Sequence, residues 1–381
     1  MNIVLYLKIF PPCGEPLNRG MSKAVDGLAF GLTECGNKVT ILCEGYQDNF
    51  IKTEKGYEIK CFANLSKKGA IFSLASGLKK YIQEKSKPDL VVISGIFNPS
   101  AYSLSRFLKK CGIDYITWPH DPYNPDIFSN KSYLKFPYWY FLERPMLRQA
   151  KAVQVLDIRH GEFLRNLGVN TSIIELPNGF HAEDVLPESK LEWRQDTPAK
   201  LLFLGRIDAH NKGLDLLVEA FAKIVRKKDT SSKYKLIIQG PDFGDRKMLE
   251  EKGKKLLICD NLSFLNPDFD VSPTSIIANY DIFCLPSRFE GFGLSALEAM
   301  LAGRVLLVSE VGGIASHVKS SGCGVVVQPE VASIKEGLEE LLERRSEWEE
   351  MGMAGRRYVL KNLQWNKIAE RALDNYKKVL Y

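Results

Sequence analysis

The sequence predicts an α/β fold of two Rossmann-like, doubly wound domains placed face to face. Short apolar runs alternate with helical patterns through nearly all of the 381 residues, and this rhythm is typical of parallel sheets covered by helices. Many of the runs are continuous Val, Ile and Leu, as expected for strands buried on both faces. The chain is too long for one ordinary core and long enough for two.

Six strands are predicted in each half of the chain. Those of the first half are residues 3–7, 39–43, 90–94, 113–118, 153–156 and 172–176. Those of the second half are residues 201–204, 236–239, 262–265, 282–285, 305–308 and 324–327. Helices are predicted between the strands, for example over residues 20–34 and 214–227, and a last amphipathic helix is predicted over residues 364–380.

The strand–helix rhythm pauses over residues 178–199, which are polar and rich in turn residues. We place the linker there, near residues 186–190. The predicted domains are therefore residues 1–187 and 188–363, and the helix at 364–381 closes the chain. Ligands of doubly wound sheets bind at the carboxyl ends of the strands, so the loops after strands are the places to look for a site.

Composition points to a globular protein outside the membrane. No apolar stretch approaches the roughly 20 residues that a membrane span requires, and the N-terminus reads as a first strand rather than a signal peptide. The eight cysteines form no CxxC pair, so reduced thiols and a cytoplasmic location are expected. Residues 1–187 carry 23 Lys and Arg against 18 Asp and Glu, most of the net charge of +6. That excess does not suggest nucleic acid; it is ordinary solubilising charge, or it favours peripheral contact with the inner face of the plasma membrane.

The most informative stretch is residues 285–300, where a strand is followed by a loop and a helix that begins near Gly291 and Gly293. Glycines let the backbone approach a ligand closely, and the amides of a helix N-terminus attract phosphate. Glu290 and Glu298 bracket the turn at a separation on the order of 10 Å, and carboxylates accept hydrogen bonds from hydroxyl groups. The stretch therefore predicts a diphosphate site between two hydroxyl sites, as a nucleotide sugar requires.

A second loop supports this interpretation. Residues 205–213 follow a predicted strand and carry Arg206 and Lys212 between flanking glycines. Two cations at the carboxyl end of a strand suit a diphosphate and would neutralise the charge of the leaving group.

One rival motif overlaps the first stretch. Gly291, Gly293 and Ala296 satisfy the dinucleotide fingerprint, with Glu310 about where a ribose-binding acid would lie. That fingerprint has its first glycine directly after the strand, whereas residues 286–290 intervene here, so a nicotinamide cofactor is not expected.

Together these motifs resemble the signature of the retaining glycosyltransferases of the GT-B fold, family 4 (glycosyl transferases group 1). The Glu-x7-Glu element at residues 290–298 resembles the family's donor motif, and Arg206 with Lys212 resembles its Arg/Lys pair. The hinge at residues 177–179 and a closing helix with Trp365 also fit. The resemblance covers nearly the whole chain, and it implies that the closing helix packs back on the N-terminal domain.

The resemblance implies a role for each matched residue. Arg206 and Lys212 would hold the diphosphate, Glu290 would contact the donor sugar, and Glu298 would hold the ribose hydroxyls. The backbone amides that would cap the phosphate belong to Phe292, Gly293 and Leu294. In such enzymes the leaving diphosphate deprotonates the acceptor on the same face of the sugar, and no protein nucleophile takes part.

The first half carries weaker signals. His120 follows the predicted strand 113–118, where family members often carry a histidine, and it joins Arg206, Lys212 and Glu290 as a candidate catalytic residue. A hydrogen bond is its expected contribution rather than proton abstraction; a purely structural role in the loop is the alternative. In the loop after the first strand the family usually has a Gly-Gly pair, and we take Gly20, rather than Gly14, as the glycine that faces the diphosphate.

Two further patterns were weighed. Residues 135–148 contain five aromatic side chains together with three basic ones; we favour packing on the sheet, and a membrane-interface helix is the alternative. The triplet Asp268-Phe269-Asp270 could hold a metal, but its polar loop favours a solvated turn, so neither a metal nor any other cofactor is expected.

The sequence thus predicts a retaining, metal-independent hexosyltransferase of polysaccharide or glycolipid biosynthesis. It would move a hexose, with glucose from UDP-glucose as the first choice, to a saccharide or lipid-linked saccharide. The alternatives are a catalytically inactive subunit of a polysaccharide assembly complex that binds a sugar nucleotide, and a GT-B-fold UDP-sugar epimerase.

Overall fold

The computed structural model describes residues 1–11, 20–64, 72–84, 87–128, 131–193, 198–226 and 233–381. These residues divide into two compact units. The first unit is Met1–Gly179 with Trp365–Tyr381, and the second is Phe180–Gln364.

The first unit is built on one sheet of eight described strands. The strands are β1 (Asn2–Tyr6), β2 (Lys38–Gly45), β3 (Asn49–Lys52), β4 (Glu58–Ala63), β5 (Leu90–Ser94), β6 (Tyr115–Trp118), β7 (Ala152–Val155) and β8 (Ser172–Glu175). Their order in the sheet is β3-β4-β2-β1-β5-β6-β7-β8, and all pairs are parallel except β3 with β4. The helices are α1 (Gly20–Glu34), α2 (Ser76–Glu84), α3 (Pro99–Lys110), α4 (Ser132–Tyr138), α5 (Arg144–Gln149) and α6 (Arg159–Asn166). Single turns at Pro125–Phe128 (3₁₀) and Trp139–Glu143 (π) complete it.

The second unit is built on an all-parallel sheet of six described strands. The strands are β9 (Ala199–Leu204), β10 (Tyr234–Gln239), β11 (Leu262–Leu265), β12 (Ile282–Leu285), β13 (Val305–Ser309) and β14 (Gly324–Val327), in the order β11-β10-β9-β12-β13-β14. The helices are α7 (Leu214–Val225), α8 (Arg246–Lys255), α9 (Pro273–Ile277), α10 (Leu294–Leu301), α11 (Ile314–Ser321), α12 (Val331–Glu343) and α13 (Trp348–Asn362). The predicted end of α7 at residue 227 lies outside the described residues.

Both sheets have the expected doubly wound α/β character. The central strands are fully buried, for example β5 and β13, because helices cover both of their faces. The sequence missed the β3–β4 hairpin, since its strands mix polar and apolar residues and several of them are exposed.

The closing helix α14 (Trp365–Leu380) belongs to the first unit, as predicted. It packs against α1 so closely that a Cβ atom at Gly27 would lie 2.0 Å from the Trp365 indole. Further along, the Tyr376 hydroxyl donates to Gln154 Oε1 of β7 at 2.6 Å.

The first boundary between the units differs from the predicted one. The chain enters the second unit at Phe180 rather than at residue 188. The Phe180 amide donates to the carbonyl of Leu363 at 3.2 Å, and the Arg356 guanidinium donates to the carbonyl of Leu186. These bonds tie residues 180–187 to the second unit, although their polar composition reads as a linker. Within the described part of the chain, no helix is both long and apolar enough to cross a membrane.

Candidate functional site

Two loops at the carboxyl ends of β9 and β12 are locked together in the second unit. The amides of Arg288 and Phe289 both donate to the carbonyl of Asn211, at 2.9 and 3.1 Å. Gly213 has a φ of 66°, and a Cβ atom there would lie 2.1 Å from the carbonyl oxygen of Pro286. Only glycine fits this contact. Gly213 therefore allows the loop after β9 to pack against the loop after β12.

Lys212 reaches directly into the turn that follows β12. Its Nζ lies 2.7 Å from Glu290 Oε2, and the two side chains are only 14% and 15% exposed. The buried Ser287 hydroxyl also donates to Glu290 Oε2, at 3.3 Å. The Glu290 carboxylate is therefore held in place, and the Lys212 ammonium is fixed at the turn between β12 and α10.

The N-terminus of α10 has no side-chain cap. Its N-cap residue is Gly293, which has a φ of 99° and offers no side-chain acceptor. The carbonyls of Gly291 and Phe292 accept from the amides of Gly313 and Ile314, and these bonds fix the turn. As at the start of any helix, the first amides, including that of Leu294, have no intrahelical partners. Half-buried Glu298 lies one turn further along the same helix. The turn thus combines amide donors, a lysine and two carboxylates in one unit.

The other cation of the second loop has a different neighbour. Arg206 is exposed, and its guanidinium carbon lies 5.1 Å from the centre of the Phe243 ring. The backbone places this ring, because the Phe243 amide donates to the carbonyl of Ile207 at 3.1 Å. The structure therefore brings Lys212 to the turn and stacks Arg206 on Phe243.

A third charged group, Arg288, was not singled out from the sequence. Its guanidinium forms two bonds with the Asp215 carboxylate, at 2.7 and 2.8 Å, and a third with the carbonyl of His210 at 2.9 Å. Burial alone would raise the pKa of Asp215, but the hydrogen bonds and charge of Arg288 lower it. Because Asp215 is the second residue of α7, Arg288 clamps the start of that helix to the turn after β12.

In the first unit, His120 occupies a strained and buried position after β6. Its φ is 67°, its ring stacks on Trp118 at 3.9 Å between ring centres, and Nε2 has no hydrogen-bond partner among the described residues. Burial lowers the pKa of His120 to about 3. The imidazole is therefore neutral near pH 7, which suits a hydrogen-bonding role better than a titrating one. Strain of this kind is concentrated at functional sites.

The other predicted site residue of the first unit is Gly20, which is the exposed first residue of α1. Gly14 lies outside the described residues. In the second unit, Asp268 Oδ1 accepts from the amides of Asp270 and Val271, which is the geometry of a local turn.

Glu143 is a buried carboxyl group that the sequence did not reveal. It lies in the π turn, accepts from the Tyr123 hydroxyl at 2.6 Å and from the Phe97 amide at 3.1 Å, and its second oxygen has no partner among the described residues. Burial raises its pKa to about 7. In the sequence it appears as one ordinary charge on a helix, and only the π turn directs it inward.

Comparison with known proteins places both halves in one family. The model described as "Glycosyltransferase Family 4" matches residues 18–184, and the model "Glycosyl transferases group 1" matches residues 188–358. A phosphatidyl-myo-inositol mannosyltransferase of Mycobacterium tuberculosis is 27% identical over 243 residues, which are 62% of each chain. An uncharacterized glycosyltransferase of Methanocaldococcus jannaschii, MJ1607, is 31% identical over 200 residues, 50% of this chain and 49% of that one. The chain thus spans about half to three-fifths of the length of these relatives.

Solved structures show the same fold over the full length. Sucrose-phosphate synthase from Thermosynechococcus elongatus superimposes with a TM-score of 0.77 at 18% identity, over 99% of this chain and 98% of that one. HepE of Anabaena, in complex with UDP and glucose, superimposes with a TM-score of 0.72 at 16% identity, over 99% and 100% of the chains.

Proposed function

Because the chain belongs to the family 4 glycosyltransferases of the GT-B fold, we propose that it is a retaining hexosyltransferase that uses a nucleotide-diphosphate sugar. The second unit holds the donor, and the first unit recognises a saccharide or lipid-linked saccharide acceptor. The product would enter polysaccharide or glycolipid biosynthesis.

The observation that carries the proposal is the contact between Lys212 and Glu290 at the start of α10. The carboxylate of this ion pair precedes the first residue of α10 by four positions, so we infer that the cation, the first amides of the helix and the carboxylate act together. A diphosphate satisfies the first two, since helix N-termini and lysines both stabilise phosphate oxygens. The carboxylate suits sugar hydroxyls, because it only accepts hydrogen bonds. On this proposal Glu298 binds the ribose hydroxyls, and Arg206 supplies a second positive charge beside the diphosphate.

The reaction we propose needs no protein nucleophile. The bond between the anomeric carbon and the diphosphate oxygen breaks, the acceptor oxygen bonds to that carbon on the same face, and the acceptor proton passes to the departing diphosphate. Lys212, Arg206 and the α10 amides stabilise the charge that develops on the diphosphate. Neutral His120 would donate or accept a hydrogen bond near the reacting sugar. No metal is needed for these roles, since Lys212, Arg206 and the α10 amides supply the positive charge and the hydrogen-bond donors that the diphosphate requires.

UDP-glucose is our first choice of donor. HepE of Anabaena was solved with UDP and glucose, and the trehalose-6-phosphate synthase of E. coli, which has a TM-score of 0.70 to this chain, was solved with UDP-2-fluoro glucose. The mycobacterial relative is a mannosyltransferase, so GDP-mannose is the donor to test beside it. We further propose a cytoplasmic enzyme that works at the inner face of the plasma membrane.

The proposal is tested with the purified full chain and a panel of UDP-glucose, UDP-galactose, UDP-N-acetylglucosamine and GDP-mannose. Nucleotide release is measured with and without saccharide acceptors, and in the presence of EDTA. We expect acceptor-stimulated release of one nucleotide, unaffected by EDTA, and NMR of the product should show the anomeric configuration of the donor.

Three results would contradict the proposal in different ways. Donor binding in calorimetry without turnover on any acceptor would indicate a silent binding subunit. Conversion of the donor sugar into its epimer without an acceptor would indicate an epimerase. An inverted product would exclude same-face transfer while leaving the family assignment intact.

A further inference from the structure

The first unit exposes a cluster of large apolar side chains on one short segment. We call it the aromatic patch: Tyr133, Leu134, Phe136, Tyr140 and Phe141, which are 53–74% exposed. Isolated exposed apolar residues are ordinary, whereas a contiguous group usually marks a binding surface. Five such side chains within nine positions of the chain, in α4 and the π turn, form a group of this kind.

The opposite side of the same segment is firmly packed. Trp139 is buried, and its ring lies 5.0 Å from that of Tyr123. The Tyr138 ring lies 5.7 Å from that of Phe97. Phe136 lies at the border of the two sides: it is 53% exposed, and its ring also stacks on Phe128 at 4.8 Å. Packing against aromatic side chains of the neighbouring loops therefore occupies one face of the segment, and it holds the aromatic patch in an outward position.

The chain segment that carries the aromatic patch is basic. Residues 131–151 contain five Lys and Arg but only one acidic residue, Glu143. That carboxyl group is fully buried, so it presents no charge to solvent. Lys131 and Arg148 are exposed, and the Arg144 guanidinium lies 5.6 Å from the centre of the Tyr140 ring. An exposed apolar group on a basic segment whose one acid is buried is complementary to an anionic surface that has an apolar layer beneath it.

We propose that the aromatic patch docks this chain on an anionic lipid bilayer. Tyr and Phe rings settle at the depth of the headgroups, while neighbouring Lys and Arg bind the anionic headgroups. A second copy of the chain would bring like charges together at the same surface, so self-association is disfavoured.

The aromatic patch also adjoins the loop that carries His120. Phe128 and Tyr123, which its segment contacts, belong to residues 119–128 that follow β6. If the proposed function holds, a lipid-linked acceptor lying in the bilayer would meet the first unit next to this loop. Docking deepens the membrane location given under the proposed function, but it does not depend on sugar transfer, and it is measured without donor or turnover.

The test is sedimentation of the full chain with vesicles of phosphatidylcholine and phosphatidylglycerol in equal parts, compared with pure phosphatidylcholine. We expect binding to the anionic vesicles that weakens in 0.5 M salt, chosen because ~0.5 M shortens the Debye length to under about 5 Å. In the combined Tyr133→Ser, Tyr140→Ser and Phe141→Ser variant, the affinity for the vesicles should fall by roughly tenfold or more. The three rings that would transfer from water into the bilayer are then missing. Lys131→Gln with Arg148→Gln should weaken it by about fivefold for each charge removed.

Matched variants separate docking from general surface changes. Tyr46→Ser, Phe269→Ser and Tyr381→Ser together remove three exposed aromatic rings elsewhere, and Lys247→Gln with Lys377→Gln removes two exposed charges elsewhere; both should bind as the wild type does. Equal sedimentation of the wild type and the serine variant would overturn the proposal. So would a wild-type dimer in light scattering that the same variant converts to a monomer, since the aromatic patch would then join two copies. Nucleotide release from a soluble acceptor, measured in parallel, reports on the proposed function separately.

Discussion

The ammonium of Lys212 lies 2.7 Å from a carboxylate oxygen of Glu290, although 78 positions separate the two residues in the sequence. The contact joins the loop after β9 to the turn after β12, and its two partners are each about six-sevenths buried. A pair with so little solvent around it holds both charges in one geometry before any donor arrives, and such preorganised charge is what stabilises a departing diphosphate.

Lys212→Ala should lower kcat for sugar transfer by about 10²–10³-fold, the usual loss when one preorganised donor to a developing charge is removed. Lys212→Arg should retain part of the rate, since it keeps the charge but not the geometry. Lys247→Ala, a change at an exposed lysine of α8 in the same unit, is the control. The measurement is kcat for sugar transfer in steady-state kinetics. An unchanged kcat for Lys212→Ala would show that this residue takes no part in the mechanism.

Gly213→Ala should raise the donor KM and lower the thermal stability, because the new Cβ would lie 2.1 Å from the Pro286 carbonyl oxygen. Gly322→Ala is a matched control: Gly322 has a φ of 68°, close to the 66° of Gly213, yet a Cβ there meets nothing within 4 Å. Both variants share the cost of a left-handed alanine, about 1–2 kcal/mol. Any larger effect at Gly213 therefore measures the contact between the two loops. Equal donor KM values in the two variants would show that this contact does not shape the site.

Four strands were predicted with the bounds that the structure gives them, two of them fully buried (β5 and β12) and two at the edges of the second sheet (β11 and β14). Residues 90–94, 262–265, 282–285 and 324–327 were predicted with the bounds that β5, β11, β12 and β14 have, and the other predicted strands agree within two residues. A continuous apolar run followed by turn residues is sufficient for such strands. The edge hairpin β3–β4 has no run of this kind, because its two short strands mix polar and apolar residues.

The site was predictable only where its parts are close in sequence. The turn after β12 and the loop after β9 each carry their own signal of glycines and charges. The Arg288–Asp215 clamp joins positions 73 residues apart, and nothing local marks Asp215 as its partner. The inward direction of Glu143 depends on one π turn, and single sequences carry no pattern for that feature.

Phe243→Ala should raise the donor KM about two- to fivefold with little change in kcat, the value of an exposed cation–π contact. The reason is that the exposed Phe243 ring supports the Arg206 guanidinium at 5.1 Å. Phe243→Tyr keeps the ring and should behave as the wild type. Phe269→Ala removes a ring of similar exposure in the same unit and should have no effect. If Phe269→Ala and Phe243→Ala change KM equally, the stacking on Arg206 is irrelevant to donor binding.

His120→Ala should lower kcat by about tenfold, in line with the loss of one hydrogen bond to a charged or reacting group. His120→Asn should keep more of the rate, because Asn tolerates a positive φ and carries hydrogen-bonding groups. Burial holds the pKa of His120 at about 3, so the wild-type rate should show no inflection from this group between pH 5 and 8. An inflection near pH 6.5 that disappears in His120→Asn would instead identify His120 as a titrating base.

Glu143 should make the protein less stable as the pH rises. Burial raises its pKa from 4.5 to about 7, so between these values the folded state holds a proton that the unfolded state has released. Stability is then fully present below about pH 4.5 and falls until about pH 7, by a total on the order of 3 kcal/mol. Glu143→Gln keeps an oxygen that can accept from the Phe97 amide and the Tyr123 hydroxyl, but it cannot ionise.

The measurement is the unfolding free energy of the wild type and of Glu143→Gln in urea at pH 5.0, 6.0, 7.0 and 7.5. The difference between the two proteins should grow in favour of the variant as the pH rises, and then level off above about pH 7. Glu162→Gln, at an exposed position of α6 in the same unit, should track the wild type at every pH. A constant difference between Glu143→Gln and the wild type would mean that Glu143 ionises normally in the folded protein.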